Sequence, residues 1–404
     1  MNGNELNKKM IYILILFLFA NNIFGMLPIP SSYTVPILFL IAWKGFSKPS
    51  MYKKAFVMIL VGVVLNLISS LYFRGQSPWD TIRAMPSYFG ILFYFYLKQK
   101  QISLKKTETL LLFLIYILDS LYIIQYYLYA WYGWNFMNLD DWMLSDVDGG
   151  VRLRVVSSSL YIAGMFYGLN NWYIQRKKKF LLPFLLGAFI MLLAGYRQFI
   201  ASFIVVAIYM LWRIEKRISS KQIVTILMAA IVFFGVIQIP AIQEKIQGMV
   251  ERSDDNQTLN NEDYVRVVQF DYFEHHFFKS PVERVLGAGI PLPSSKYGKE
   301  FEKERSRGMQ YVDWAFLGVS WMLGSIAVLG LIWLSIMVIR LKVDKEYTYF
   351  SLYFLFLLIS ITNFEFFRDG NFLVHGILLY MAELAALKYK KQKTYDQHNN
   401  TLIQ

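Results

Sequence analysis

Two arginines beside apolar segments are the strongest candidates for functional residues in this chain. Arg197 lies in a short break between two apolar segments, and Arg266 lies in a polar stretch farther along. A guanidinium group forms two parallel hydrogen bonds with a phosphate, and its planar donors suit that task better than lysine. These residues predict a binding site for a phosphate or pyrophosphate. The alternative for each arginine is contact with lipid headgroups.

Further arginines are candidates for an outer ring of positive charge. Placing an ion in a bilayer costs free energy, so charged residues at the ends of apolar segments are candidates for a function. Each of these arginines has the alternative of being a plain interfacial anchor. The candidates for substrate binding are Arg83, Arg152, Arg154, Arg284 and Arg368.

Three titratable residues are candidates for proton transfer. Asp313 stands where a polar loop becomes an apolar segment, and burial there would tune it as a general base. Capping a helix or pairing with an arginine would also explain it. His275 and His276 are the second candidates, although an isolated histidine pair is commonly incidental. Asp119 lies within an apolar segment and is expected to face the interior of a helix bundle.

The composition shows what kind of molecule positions these residues. Of the 404 residues, 56% are hydrophobic and 17% are charged, which is too apolar for a water-soluble globule. The absence of cysteine excludes disulfides, thiolate metal sites and a cysteine nucleophile. No metal and no cofactor are predicted. The net charge of +13 comes from short Lys and Arg clusters between apolar blocks, which indicates membrane orientation rather than binding to nucleic acid.

The apolar blocks predict an all-α polytopic integral membrane protein with about 12 transmembrane helices. It also has a long, partly helical outer loop. Spans 1–9 are expected in residues 1–240, the outer loop in 241–311, and spans 10–12 with a tail in 312–404. The predicted spans cover about 10–27, 32–47, 55–73, 84–98, 108–131, 155–175, 180–195, 197–213, 221–240, 312–339, 348–366 and 371–387.

The positions of the basic residues predict the orientation of the chain. More than half of the 41 Lys and Arg residues lie in alternate short loops and near both termini. Cytoplasmic loops carry such an excess, so both termini are expected in the cytoplasm. The outward-facing segments are then 74–83, 132–154, 241–311 and 367–370. The short basic loops on the cytoplasmic side are too short to form a catalytic domain, so any chemistry is expected on the outer side.

The longest outer segment contains a predicted helix. Asn260 and Asn261 followed by two acids form a helix start, and the helix would cover about 262–278. Along it an apolar stripe with one cation is expected on a single face, and such a helix would lie on the membrane surface. The residues of this face are Arg266, Phe270, Phe273 and Phe277.

These features together resemble the O-antigen polymerase and ligase superfamily. The similar stretches are 194–199, 265–281 with 287–289, and 313–318 with Gly324, which lie in the second half of the chain. Ligases of this superfamily usually show a histidine-asparagine pair where this chain has Asp313 and Trp314. That departure favours a polymerase of repeat units.

The resemblance implies a metal-independent glycosyltransferase in the bacterial cytoplasmic membrane. Its substrate would be an oligosaccharide on undecaprenyl pyrophosphate, whose charge Arg197 and Arg266 would neutralise. Asp313 would act as base, with His275 or His276 second. Membrane lipid is an expected partner, a chain-length regulator is a partner left open, and nucleic acid is not expected. Two alternatives stay open: a ligase that transfers polymer to lipid A core or another acceptor, and a polysaccharide transporter or flippase.

Overall fold

The computed structural model describes residues 34–137, 139, 144–147, 150–154, 157–194, 197–215, 265–360, 364–368 and 370–402. Within these ranges the protein is almost entirely helical. Its one described sheet is a short hairpin, in which β1 (Leu144–Val147) pairs antiparallel with β2 (Gly150–Leu153). The predicted helical class is thus confirmed for these ranges. The predicted spans 10–27 and 221–240 lie outside the described residues.

The helices follow the predicted apolar blocks within a few residues at most ends. Those of the first half are α1 (Thr34–Ala42), α2 (Lys53–Ser69), α3 (Pro78–Arg83), α4 (Phe93–Lys100), α5 (Leu104–Tyr132), α6 (Ser159–Gln175), α7 (Leu181–Ala194) and α8 (Arg197–Glu215). Those of the second half are α9 (Val265–Asp271), α10 (Pro281–Leu286), α11 (Lys296–Ser306), α12 (Ala315–Leu323), α13 (Ser325–Ile339), α14 (Tyr349–Ile359) and α15 (Asn371–Leu402).

Tighter or wider turns connect several of these helices. A π-helical turn, Ser70–Arg74, continues α2, and another, Tyr272–His276, continues α9. The 3-10 turn Tyr311–Trp314 directly precedes α12, and the 3-10 turn Phe364–Phe367 lies before α15.

Long apolar helices indicate that the protein spans a membrane. Among the described residues, four helices have the length and composition to cross a bilayer. They are Lys53–Arg74, Leu104–Tyr132, Gln198–Glu215 and Asn371–Gln397. Two shorter apolar helical stretches, Pro36–Gly45 and Ser325–Ile339, accompany them.

Small residues let the helices pack closely. A Cβ atom at Gly62 of α2 would lie 2.4 Å from the backbone nitrogen of Ala327 in α13. A Cβ atom at Gly187 of α7 would lie 2.4 Å from the carbonyl oxygen of Tyr161 in α6. In a lipid solvent such close backbone contacts supply much of the attraction between helices. The first turns of α15 are buried on nearly all sides, so this helix lies at the centre of the described core.

The predicted span 312–339 is not one helix, because the chain breaks between α12 and α13 at Gly324. Gly324 has a φ of 88°, and a Cβ atom there would lie 2.4 Å from the carbonyl oxygen of Leu286. The last carbonyl groups of α12 are bound by the segment after α10 instead. The backbone N–H groups of Ala288 and Gly289 donate to the carbonyl oxygens of Trp321 and Met322, at 2.9 and 2.8 Å.

The apolar stripe predicted for 262–278 also differs from the structure. After Asp271 the helix widens, and the N–H of Phe277 donates to the carbonyl of Tyr272, five residues back, at 2.9 Å. Phe273 and Phe277 are buried inside the protein, and the Phe273 ring stacks on Trp321 at 4.7 Å. These two rings therefore pack on the protein's own aromatic core rather than on the membrane surface, while Phe270 stays partly exposed.

Candidate functional site

Residues 265–314 form a folded segment, here called the loop segment, which brings five of the predicted site residues into one stretch of chain. The segment is anchored to the end of α2. The amide of Asn66 donates to the carbonyl oxygens of Leu286 and Met322, at 3.0 and 2.7 Å. Because Asn66 is fully buried, these bonds fix where the loop segment meets the apolar helices.

Asp313 is the centre of the first group of polar side chains. It lies in the 3-10 turn Tyr311–Trp314 and is half-buried. The amide nitrogen of Gln269 in α9 donates to Asp313 Oδ2 at 3.0 Å and to the carbonyl oxygen of Gly308 at 2.8 Å. Gln269 of α9 therefore holds the carboxylate in a defined orientation. Among the described residues, the Asp313 side chain does not cap α12.

Arg266 is exposed and lies three residues before Gln269 on α9. Residues at this spacing are neighbours on a helix surface, so Arg266 is one turn from the side chain that holds Asp313. Two buried polar atoms nearby, Gln269 Oε1 and Trp314 Nε1, have no hydrogen-bond partner among the described residues. Unpaired buried polar atoms are costly and are more common at functional sites than elsewhere.

The two candidate histidines share one carboxylate. His275 Nδ1 lies 3.0 Å from Asp271 Oδ1, and His276 Nε2 lies 3.3 Å from Asp271 Oδ2. All three side chains are about two-thirds exposed, at 65%, 66% and 59%. The sequence interpretation did not pair these histidines with an acid. The sequence did contain a signal for such an acid, because Asp271 lies four residues before His275 and thus on the same helix face.

Arg284 is part of an ion pair rather than a free cation of the outer surface. Its guanidinium binds Glu274, whose side chain is only 7% exposed. The other carboxylate oxygen of Glu274 accepts a hydrogen bond from Trp321 Nε1 at 2.9 Å. The pair ties α10 to the π-helical turn and to α12. This contact gives Arg284 a structural role, and its predicted role in substrate binding stays a prediction.

Arg74, at the end of the π-helical turn after α2, was missed by the sequence interpretation. Its side chain forms an ion pair with the fully buried Glu283 and donates to the carbonyl oxygen of Phe277 at 2.6 Å. Its guanidinium also lies over the rings of Phe277 and Tyr297, at 4.3 and 5.3 Å from their centroids. Arg74 lines an open cleft of about 320 Å³ on the loop segment. The only sequence signal was a cation at the end of a span.

A second polar cluster lies at the start of α15. Arg368 Nη2 lies 2.5 Å from Glu365 Oε1, and both side chains are nearly or fully buried. Ser158 donates to the same carboxylate, and Asn371 Oδ1 accepts from the N–H of Ser159 at 2.9 Å. The cluster therefore joins the start of α6 to the turn Phe364–Phe367. These contacts account for the burial of Arg368 without a substrate, and its role in substrate binding stays a prediction.

The second cluster continues into the core through His375 of α15. His375 Nε2 lies 3.0 Å from the carbonyl oxygen of Phe366, so this nitrogen donates. His375 Nδ1 lies 2.7 Å from the Tyr353 hydroxyl, which lies 2.6 Å from Ser159 Oγ. All these groups are buried. A chain of hydrogen-bonded side chains this deep fixes the packing of α6, α14 and α15.

The two clusters are close to one another. The Tyr311 ring lies 6.5 Å from that of Phe364, and the Phe316 ring lies 5.0 Å from that of Phe366. The turn that carries Asp313 therefore packs on the turn that carries Glu365. Asp313 and Arg368, 55 positions apart by their numbers, belong to adjoining turns of the structure.

The structure describes the remaining predicted residues only in part. Arg83 is exposed and lies 3.5 Å from Asp80 on its own helix. Arg154 is half-buried. The side chains of Arg152 and Arg197 lie outside the described part of the structure, and the expected approach of Arg197 to Arg266 stays a prediction. Asp119 is buried as expected, and its Oδ2 has no hydrogen-bond partner among the described residues.

Comparison of the chain with protein-family models, with curated proteins and with solved structures finds no match.

Proposed function

We propose that this protein is a bacterial polysaccharide polymerase that joins lipid-linked oligosaccharide units at the outer face of the cytoplasmic membrane. The observation that supports this most directly is the half-buried Asp313 carboxylate, held by Gln269 one helical turn from the exposed Arg266. A base and a guanidinium on adjacent turns, beside apolar helices, fit a substrate whose sugars lie in water and whose lipid lies in the bilayer.

The reaction requires little from the protein beyond charge and orientation. A hydroxyl group of one repeat unit attacks the anomeric carbon of another, and Asp313 accepts the proton of that hydroxyl. The bond from the anomeric carbon to the pyrophosphate oxygen breaks, and undecaprenyl pyrophosphate leaves with its electrons. Arg266 and Arg197 stabilise the negative charge that develops on it. The proposal needs no metal or other cofactor.

The proposal includes the full topology. About twelve spans would place both termini in the cytoplasm and the loop segment outside. The lipid-linked substrate would enter from the outer leaflet, and its pyrophosphate would meet Arg266 at the membrane surface. A polymerase is preferred to a ligase because Asp313, rather than a histidine, occupies the turn before α12.

Incubation of the purified protein with lipid-linked repeat units alone tests this function. We expect a ladder of products on a gel. Arg266→Ala should lower the rate by roughly 10²–10³-fold, the cost typical of losing one group that stabilises an oxyanion. Arg266→Lys should retain part of the activity because it keeps the charge and loses the paired donors.

Arg305→Ala provides the matched control. Arg305 is an exposed arginine of α11 that pairs with Glu302 at 3.4 Å. Its loss removes one positive charge from the same segment, and its ion-pair partner is Glu302 rather than Asp313, so the ladder should be unchanged. Absence of a ladder with the unaltered protein, or equal losses in the two alanine variants, would contradict the proposal.

A further inference from the structure

The cleft beside Arg74, here called the aromatic cleft, is built unlike a site for a phosphate. It lies between the π-helical turn Tyr272–His276 and α11, and has a volume of about 320 Å³. That volume is at the lower end of the range of sites for small ligands. The cleft combines aromatic rings with groups of both charges.

Aromatic rings form the wall of the cleft. Tyr297 and Phe301 of α11 line the cleft and are largely buried, and Phe277 packs against Phe301 at 6.0 Å. Tyr272 is only half-buried, and its side chain lines the open space. Burial and the nearby Glu304 carboxylate raise the pKa of Tyr272 to about 12, against the influence of Arg74. Its hydroxyl therefore stays neutral and able to donate.

The charged groups of the cleft offset one another. Arg74 already binds Glu283, and Lys279 Nζ donates to the carbonyl oxygen of Phe73 at 2.5 Å. The lining also includes two carboxylates of α11, Glu300 and Glu304. Arg74 and Lys279 are matched in number by Glu300 and Glu304. His276 also lines the cleft and is bound to Asp271, so the cleft has no large excess of positive charge and does not favour a phosphate.

A sugar ring matches this combination of groups. Its C–H face packs on an aromatic ring, and its hydroxyl groups donate to carboxylates and accept from guanidinium or ammonium groups. Ligand sites that combine apolar walls with a few polar groups fix the orientation of a ligand in this way. The position also fits, since Arg74 is the last residue of the apolar helix Lys53–Arg74 and the cleft opens where that helix ends.

We infer that the aromatic cleft binds an uncharged sugar residue of the oligosaccharide, with the Tyr272 ring as its platform and Glu300 and Glu304 as its hydrogen-bond acceptors. This inference rests on the proposed function for the source of the oligosaccharide. The cleft would hold the saccharide of a lipid-linked unit while the pyrophosphate lies at Arg266.

Binding of a free saccharide to the full-length protein in detergent tests the inference separately from catalysis. The probe is the oligosaccharide repeat unit released by mild acid from the lipid-linked intermediates of the source strain. Its Kd is measured by saturation-transfer difference NMR. Tyr272→Leu and Glu304→Gln should each raise the Kd about tenfold, the size expected for losing one contact that involves a charged group or a buried ring.

Glu302→Gln is the matched control. Glu302 and Glu304 lie on the same helix, and each pairs with an arginine three residues later, at 3.4 and 3.1 Å. Only Glu304 lines the cleft. Glu302→Gln should therefore leave the Kd within twofold. Thermal unfolding and gel filtration establish whether the variants fold. If Tyr272→Leu does not fold, Glu300→Gln, a change at an exposed position, tests the same cleft.

The outcomes separate this inference from the proposed function. Equal Kd values for the Glu302→Gln and Glu304→Gln variants, with a normal product ladder, would overturn the cleft and leave the polymerase standing. Loss of saccharide binding in the cleft variants, with no ladder from the unaltered protein, would support the cleft and overturn the polymerase. Displacement of the saccharide by inorganic pyrophosphate, relieved in Lys279→Ala, would make the cleft an anion site and would also overturn the inference.

Discussion

Asp313 and the two histidines differ in how the protein holds them. Asp313 is half-buried and oriented by Gln269, whereas His275 and His276 are exposed and both bound to Asp271. A base works best when its environment and orientation are controlled. Under the proposed function, Asp313 therefore stays the first candidate for the base.

Substitution of the two kinds of base tests this preference. Asp313→Asn keeps the size of the side chain and removes the base, so the transfer rate should fall by roughly 10²–10⁴-fold. The double variant His275→Gln and His276→Gln should keep most of the activity. Initial rates with purified lipid-linked units measure both. A rate near normal for Asp313→Asn, or a collapse in the histidine variant, would reverse the assignment.

Arg368 is expected to contribute to stability through its buried partner. Arg368→Ala would leave the Glu365 carboxylate, which is 1% exposed, without its cation. Removing one member of a buried ion pair typically costs about 3–5 kcal/mol. Thermal unfolding in detergent measures the loss. Replacing both residues, as Glu365→Gln with Arg368→Met, should cost less than Arg368→Ala, because no unpaired charge stays buried.

At the scale of elements, the break at Gly324 determines how the loop segment attaches to the apolar helices. Gly324 has φ 88° and ψ 145°, a conformation essentially confined to glycine. The backbone of Leu286 occupies the space where a Cβ atom would lie. The break ends α12 so that its last carbonyl groups bind residues 288 and 289.

Alanine at this glycine should therefore be strongly destabilising. Gly324→Ala combines backbone strain with a steric clash and should cost about 3 kcal/mol or more. Gly133→Ala is the control, since Gly133 has φ 66°. Among the described residues beyond its own chain neighbours, no atom lies within 4 Å of the position that its Cβ would take, so Gly133→Ala should cost only about 1–2 kcal/mol. Similar unfolding temperatures for the two variants would show that contact with Leu286 does not matter.

The π-helical turn after α9 shows where a periodic pattern fails. A regular helix over 262–278 would place Arg266, Phe273 and Phe277 on one face. The wider turn rotates the residues after Asp271, and the buried rings of Phe273 and Phe277 meet Trp321 and Phe301. Pattern analysis assumes a constant period, so it cannot locate a turn that tertiary packing stabilises.

At the scale of the whole molecule, orientation in the membrane is the main prediction left to measure. The natural chain has no cysteine, so single cysteines report on their own position without background. Ser306→Cys, exposed at the end of α11, should react in intact spheroplasts with a maleimide that cannot cross membranes. Lys391→Cys, exposed on α15, should react only after lysis. The reverse pattern would place the loop segment in the cytoplasm.

Much of the helical framework was predictable from sequence. Predicted spans 108–131 and 180–195 match α5 (Leu104–Tyr132) and α7 (Leu181–Ala194) within a few residues. The free energy of moving apolar residues out of water is a sum over neighbouring positions, so it can be read from a short window. The candidate residues of the loop segment were also visible, as polar groups near the ends of apolar blocks.

The partners of those residues were not predictable. Arg74 meets Glu283, which is 209 positions away, and Ser158 meets Glu365, which is 207 positions away. The membrane-protein class and the helices followed from the sequence alone, because burial of apolar side chains depends on local composition. Only the tertiary structure decided which charges are neutralised and which stay exposed, because an ion pair or a cleft forms where distant segments pack together.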